Sequence, residues 1–379
     1  MTLFSHSGHD GDDRQLRMML TAVVDGGDYR ATSIVTAAGP AVCWEAILAG
    51  ELGPGVQARA EQADPAELTR VAARSGVRFI VPDDQEWPAS LSDLAALEAN
   101  SERRGGVPIG LWLLGPGHLA ELTAQSVAVV GSRACTGYGE RVAFDLSQDL
   151  SELGVGVLSG LAMGIDVAAH RGAMAAGGGT VAVLASGVDV AYPRQNERTY
   201  QRIAATQLVV SEVRPGSNPT RVGFLARNRL IAALSRGTVL VEAAVRSGAR
   251  NTLNWASACN RVTMAVPGSV ESALSVGPHA VIRDQQASLV TSAADVHELI
   301  APVGVAVLPV ARGERRALDD LDPATLAVFE ALPSRGHRTA GEVAMAGGVA
   351  IPACLAALSR LEGMGLVEAE GGGWRILRG

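Results

Sequence analysis

Short apolar runs recur along the middle of the chain, at Val127–Val130, Val155–Leu158, Val181–Leu184, Leu208–Val210, Val239–Val241 and Val262–Val266. The segments between them are long enough for helices, and one carries a clear helical stripe of Val142, Leu146, Leu150 and Leu153. Continuous apolar strands alternating with helices predict a mostly parallel sheet covered on both faces, an α/β doubly wound, extended Rossmann-like fold. In such folds a ligand sits outside the carboxyl ends of the strands. Phe79-Ile80-Val81 and Leu111 to Gly115 read as strands leading into this domain, and Asn100 to Pro108, with Arg103-Arg104-Gly105-Gly106, as an exposed loop between them.

The flanks have other periods. Leu16, Met19, Leu20 and Val23 keep helical spacing, and Gly26-Gly27 and Gly53-Pro54-Gly55 break it, which predicts a small helical domain of the SAM or helix-hairpin kind over 1–76. The Rossmann-like domain is expected over 77–305, and the polar run Arg312 to Arg316 marks a linker over 306–317. Beyond it, Pro323–Leu332, Thr339–Ala346 and Pro352–Met364 read as helices. Leu366–Glu370 and Trp374–Leu377 read as a hairpin about Gly371-Gly372-Gly373, and together these predict a winged-helix domain over 318–379.

With 47% hydrophobic residues in 379, most of the chain is expected to pack. No apolar run reaches the roughly 18 residues of a membrane helix, and Met1 to Asp13 lacks the basic and apolar regions of a secretory signal, so the expectation is a cytoplasmic protein without a membrane partner. Cys43, Cys135, Cys259 and Cys354 are scattered without metal-site spacing.

The net charge of -7 argues against a polyanionic partner, but it is unevenly distributed: Arg214 to Arg261 holds 8 Arg and one acid, Glu242, a local +7. All 32 basic residues are Arg, so any phosphate contact must come from guanidinium forks or backbone N–H groups.

The strand ends supply such groups. The first is followed by Gly131-Ser132-Arg133 and Gly137-Tyr138-Gly139 at a helix start, a backbone nest with a charged fork. The second is followed by Ser159-Gly160-Leu161-Ala162-Met163-Gly164-Ile165-Asp166, the third by Ser186-Gly187-Val188-Asp189 with Tyr192-Pro193, the fourth by Ser211-Glu212 and Arg214, and a later one by Pro267-Gly268-Ser269. One mononucleotide needs one cradle, whereas a row of them suits several phosphates in line, which argues for a polymer. Phe224 to Ile231 contains Arg227-Asn228-Arg229. Arg and Asn at a helix start reach phosphate and base edges, while pairing of Arg227 or Arg229 with Glu212 or Glu242 is the structural alternative. Ser247 to Thr252 makes a further turn into a helix, with Arg250, Asn251 and Thr252. Asp166 and His170, four apart, read as a structural pair rather than a catalytic dyad. Among the scarce aromatics, Tyr138, Tyr192, Phe224 and Trp255 lie near the loops, with core packing the default for Trp255.

Taken in order, Gly131-Ser132-Arg133 with Tyr138-Gly139, Ser159 to Asp166 with His170, Gly187 to Asn196, Ser211-Glu212, Phe224 to Arg229, and Ser247 to Thr252 with Pro267-Gly268 resemble the DNA-processing protein A (DprA/Smf) family over roughly 77–300. The resemblance implies sequence-independent binding of single-stranded DNA, a homodimer, and loading of RecA recombinase during natural transformation or recombination, with no cofactor. It carries DNA contact onto Arg133, Arg214 and Arg227-Asn228-Arg229, and the strand-end turns add Gly131, Ser132, Ser159, Gly160, Gly164, Arg250, Asn251 and Thr252 as expected contacts. The chain departs from the family at Leu225, where Pro is usual, and at Arg250-Asn251, where smaller residues are usual.

An enzyme is the alternative, a Rossmann-type nucleotide phosphoribohydrolase with a catalytic Glu after a Pro-Gly-Gly-x-Gly-Thr loop. Ser235-Arg236-Gly237-Thr238 before Glu242 lacks that loop. A transcription regulator working through the winged helix is a third reading, weakened by a third helix on which only Arg360 is basic.

Overall fold

Asp28 and Asp64 stop the chain at two helix starts by accepting hydrogen bonds from the first-turn N–H groups, and proline opens three of the first five helices. These are α1 (His9–Val23), α2 (Tyr29–Ala38), α3 (Pro40–Leu48), α4 (Pro54–Glu61) and α5 (Pro65–Arg74). Leu20, Val23, Ala31, Cys43 and Ile47 form their own core. The computed structural model describes residues 9–99, 104–244, 247–301, 318, 321–333 and 336–377. The chain divides into two compact units, 1–308 and 309–379.

Among the described residues, the rest of the first unit is built on nine strands: β1 (Arg78–Ile80), β2 (Leu111–Leu114), β3 (Ser126–Val130), β4 (Gly156–Ser159), β5 (Thr180–Leu184), β6 (Leu208–Ser211), β7 (Gly237–Leu240), β8 (Val262–Ala265) and β9 (Ser288–Leu289). They form one sheet in the order β1-β2-β6-β5-β4-β3-β7-β8-β9, parallel from β6 to β9 and antiparallel at β1/β2 and β2/β6. The helices between them are α6 (Leu119–Ala124), α7 (Gly137–Glu152), α8 (Ile165–Ala175), α9 (Glu197–Thr206), α10 (Arg221–Leu234), α11 (Gly248–Ala258), α12 (Val276–Arg283) and α13 (Ala293–Ile300). Period-two alternation divides the strands between two cores. Val127 and Val129 pack with Ala143, Leu146 and Leu150 of α7, and Ala128 and Val130 with Leu230 of α10 and Trp255 of α11. This is the doubly wound, Rossmann-like sheet that the apolar runs predict. They do not predict β9, two exposed residues at the sheet edge.

The loop before β2 is a correction. Of its described residues, Gly105, Gly106 and Pro108 are buried, and Gly105 N donates to Gly27 O at 2.9 Å, because the helical module covers it. The same seam joins module to sheet elsewhere. Trp112 Nε1 of β2 donates to Thr21 Oγ1 at 3.1 Å, and Arg14 grips Asp84 through two bonds of 3.0 and 2.6 Å.

The second unit contains α14 (Pro323–Glu330), α15 (Ala340–Ala346), α16 (Ile351–Gly363) and an antiparallel hairpin of β10 (Val367–Glu370) and β11 (Gly373–Ile376). These are the three helices and the hairpin read from the sequence. Val328, Val343, Leu358 and Leu361 form their core, and Arg338 bridges to Trp374 beside the hairpin. The expected linker over 306–317 lies outside the described residues. Among the described residues no single helix is long and apolar enough to cross a membrane.

Candidate functional site

The strand order turns back between β3 and β7: chain leaving β3 goes to β4 on one side, while β7 and β8 lie on the other. At this switch point, outside the carboxyl ends of the strands, is a cavity of about 290 Å³. The turn after β3 supplies Gly131, Ser132 and Arg133, and the first turns of α8 and α11 supply Asp166, Gly248, Ala249 and Thr252. Phe224, Arg227, Asn228 and Ile231 of α10 form the remaining wall with Leu225. Two helix N-termini therefore bring partial positive charge to one place.

The turn holding Arg133 is pinned on both sides. Ser132 N donates to Glu242 O at 2.7 Å, and Ile165 N to Ser132 O at 3.2 Å. Gly131 is tight because a Cβ there would lie 2.5 Å from Ile165 Cγ1 and 2.9 Å from Glu242 O. Gly164, at φ 78, lets the start of α8 lie directly under Ser132 and Arg133. The Arg133 side chain is exposed, its guanidinium carbon 4.7 Å from the ring centre of Phe224.

Beneath lies a buried polar layer. Arg227 donates Nη1 to Gly160 O at 2.8 Å and also to Val183 O. Burial lowers its pKa to about 10, which leaves it charged at neutral pH. Asp166 accepts from Gly160 N at 3.2 Å and Ala162 N at 3.4 Å, and burial raises its pKa against the pull of Arg227. His170 Nδ1 meets Thr180 Oγ1 at 2.8 Å, and that hydroxyl donates its single proton to Val157 O at 2.8 Å. His170 therefore carries its proton on Nδ1. Asp166 and His170 each bond elsewhere and not to each other, so the structural pair that their spacing suggests does not form.

Burial lowers the His170 pKa from 6.5 to about 3. The unfolded chain takes up that proton near pH 6.5 and the folded chain does not, so this residue lowers stability as pH falls through that window, by about 1.4 kcal/mol per unit. Asp166, with its raised pKa, acts in the opposite sense while it holds its proton in the fold. Unfolding free energy measured between about pH 6.5 and 5 should fall less steeply in His170→Asn than in the unaltered protein; equal slopes would contradict the assignment.

The structure thus brings together only some of the residues singled out in the sequence. Gly131, Ser132, Arg133, Arg227, Asn228 and Thr252 line the cavity. Gly160 and Gly164 shape it from behind, since Cβ atoms there would meet the Arg227 guanidinium and the Ser132–Arg133 backbone. Asn251 accepts from Asn228 Nδ2 at 3.2 Å, and Gly248 O accepts from the same amide, so Asn228 ties α10 to α11 rather than offering its donors to a base edge. Arg250, on the first turn of α11, is half-buried. Arg214 is exposed on the loop after β6, outside the cavity lining.

Two expected contacts are corrected. Ser159 is fully buried and donates Oγ to Val129 O at 2.7 Å. Arg229 is 0% exposed and donates Nη2 to both carboxylate oxygens of Glu212, at 2.7 and 2.8 Å. No phosphate reaches either. The charge island also shrinks, because Arg261 pairs with Asp93 at 2.6 Å. One signal in the sequence marks the cavity face of α10: Phe224, Arg227, Asn228 and Ile231 stand at i, i+3, i+4 and i+7, and Arg229 does not.

Glu242, the residue on which a hydrolase reading depends, accepts from Thr136 N at 2.8 Å and Thr136 Oγ1 at 2.6 Å. Its carboxylate lies against Gly139 of α7, away from the cavity lining. It acts as a strut.

The family described as DNA recombination-mediator protein A matches residues 78–301. The putative DNA processing protein DprA of Mycobacterium tuberculosis is 42% identical over 367 residues, covering 95% of this chain and 93% of that protein. The X-ray structure of DprA from Streptococcus pneumoniae superposes with a TM-score of 0.62 at 33% identity, over 74% of this chain and 95% of that one. DNA processing protein A from Helicobacter pylori, whose structure concerns a single-stranded DNA binding mode, has the same fold, with a TM-score of 0.50 at 23% identity over 58% and 94% of the two chains.

Proposed function

This chain belongs to the DNA recombination-mediator protein A family, the DprA and Smf proteins, and on that premise we propose that it binds single-stranded DNA by its phosphates, without sequence preference and without chemistry. The observation carrying this reading is the exposed Arg133 guanidinium at the mouth of a cavity ringed by backbone turns and the first turns of α8 and α11. The strand-binding mode described for the Helicobacter pylori protein supports it. The buried struts at Glu242 and Asp166 give such a site rigidity rather than a reacting group. Downstream, the protein works as a homodimer that protects incoming strands and loads RecA recombinase, a cytoplasmic role in transformation and recombination. That step rests on family membership.

Titrating oligonucleotides against salt tests the core of the reading. Single strands should bind well ahead of duplexes, with log affinity falling linearly in log salt. Arg133→Ala should flatten that slope by about 0.7 and weaken all base sequences alike. An unchanged slope and affinity in folded Arg133→Ala protein would remove Arg133 from the site.

A further inference from the structure

Aromatic residues make up only 4% of this chain, yet two of them stand in series at the strand ends. The Phe224 ring, under the Arg133 guanidinium, lies 5.6 Å from the ring of Tyr192 at 46°. Tyr192 is 45% exposed and Met163 beside it 40%. Both line a second cleft, of about 850 Å³, beyond the carboxyl ends of β4 and β5. The two hollows adjoin: Ala162 and Phe224 line the first, and their neighbours Met163 and Tyr192 the second.

The second cleft is chemically unlike the first. Its charged groups are Asp189, Arg194 and Glu197, a net negative set that repels phosphate. Asp189 accepts from Gly216 N at 2.7 Å, and Tyr200 donates its hydroxyl to Val188 O at 2.6 Å, so both serve the fold. What stays open is the face of Tyr192 and the thioether of Met163, a surface suited to the flat, neutral face of a nucleobase. Arg214 stands on the far side, on the loop whose Gly216 holds Asp189 and whose backbone packs on Gly187.

We propose that the cleft at Tyr192 is a nucleobase-stacking subsite, which takes a base of the strand as it leaves the cavity at Arg133 for Arg214. This rests on the proposed single-strand binding. The strand is held at its phosphates by the two arginines and at a base between them.

Fluorescence anisotropy with the full-length protein and a labelled oligo-dT of about 20 nucleotides tests it. Tyr192→Ala should weaken binding roughly tenfold, the size of one base–aromatic stack, at an unchanged salt slope, because stacking releases no counterions. Tyr192→Phe should bind like the unaltered protein. Oligonucleotides with scattered abasic positions should lose affinity for the unaltered protein and lose less for Tyr192→Ala. Full affinity in folded Tyr192→Ala protein, a loss as large in Tyr192→Phe, or a slope change in Tyr192→Ala would each overturn the subsite. Failure of the unaltered protein to bind oligo-dT would overturn the parent reading with it, whereas normal binding that is lost in Arg133→Ala and kept in Tyr192→Ala sinks the subsite alone.

Discussion

Glu212→Gln should cost about 3–5 kcal/mol of folding free energy, the typical penalty for leaving half of a buried ion pair behind. Arg229 is fully enclosed, and its Nη1 has no hydrogen-bond partner among the described residues, so the guanidinium depends on the Glu212 carboxylate. The glutamine would offer one neutral oxygen to a cation that water cannot reach. Denaturant unfolding, with the slope checked for constancy, gives the number. Replacing both partners with apolar residues, Arg229→Met with Glu212→Leu, should recover much of the loss, since desolvation is then avoided. A Glu212→Gln cost below about 1 kcal/mol would show that the pair is not what holds α10 in place. The salt slope of DNA binding should not change, because Arg229 meets no phosphate.

A second large effect is expected at Gly164. With φ at 78, any side chain there is strained, at a cost of about 1–3 kcal/mol. The added Cβ would also run into Ser132 O and lie 2.8 Å from Arg133 O, both backbone atoms that cannot rotate away. The turn must move, and it carries the Arg133 fork. Gly164→Ala should therefore reduce single-strand affinity by at least tenfold, together with a lower melting temperature. Gly137→Ala, at the start of α7 where a Cβ meets nothing within 4 Å, is the matched control and should alter neither. Normal affinity in Gly164→Ala would mean that the turn's position does not matter for binding.

Most of the sheet was legible because strands buried on both faces must be apolar throughout, as Ser126–Val130 and Thr180–Leu184 are. β9 has no such constraint, as its two residues are exposed, so no run marks it. The glycine turns at strand ends were also readable, since Gly131 and Gly164 are there for close backbone approach. The arginines were not separable by type. Arg227 and Arg229, two apart on α10, project to nearly opposite sides of the helix, so only one meets the cavity. Which one is decided by what covers the other side, and that cover comes from residues some two hundred positions earlier. The cleft at Tyr192 was equally hidden: it exists because loops from three different strand ends lie side by side.

That cover is the turn between α1 and α2. A Cβ on Gly26 would lie 3.2 Å from Glu212 Oε2, and one on Gly27 3.1 Å from Arg229 Nε, while Gly105 O accepts from the same Nε at 3.3 Å. The helical module is thus the lid of the ion pair, and one partner of the pair, Arg229, belongs to the helix that walls the cavity at Arg133. A fragment cut to the sheet alone would open a charged seam to water along α10. The module lines no part of that cavity and acts on its wall only by insulating the ion pair behind it.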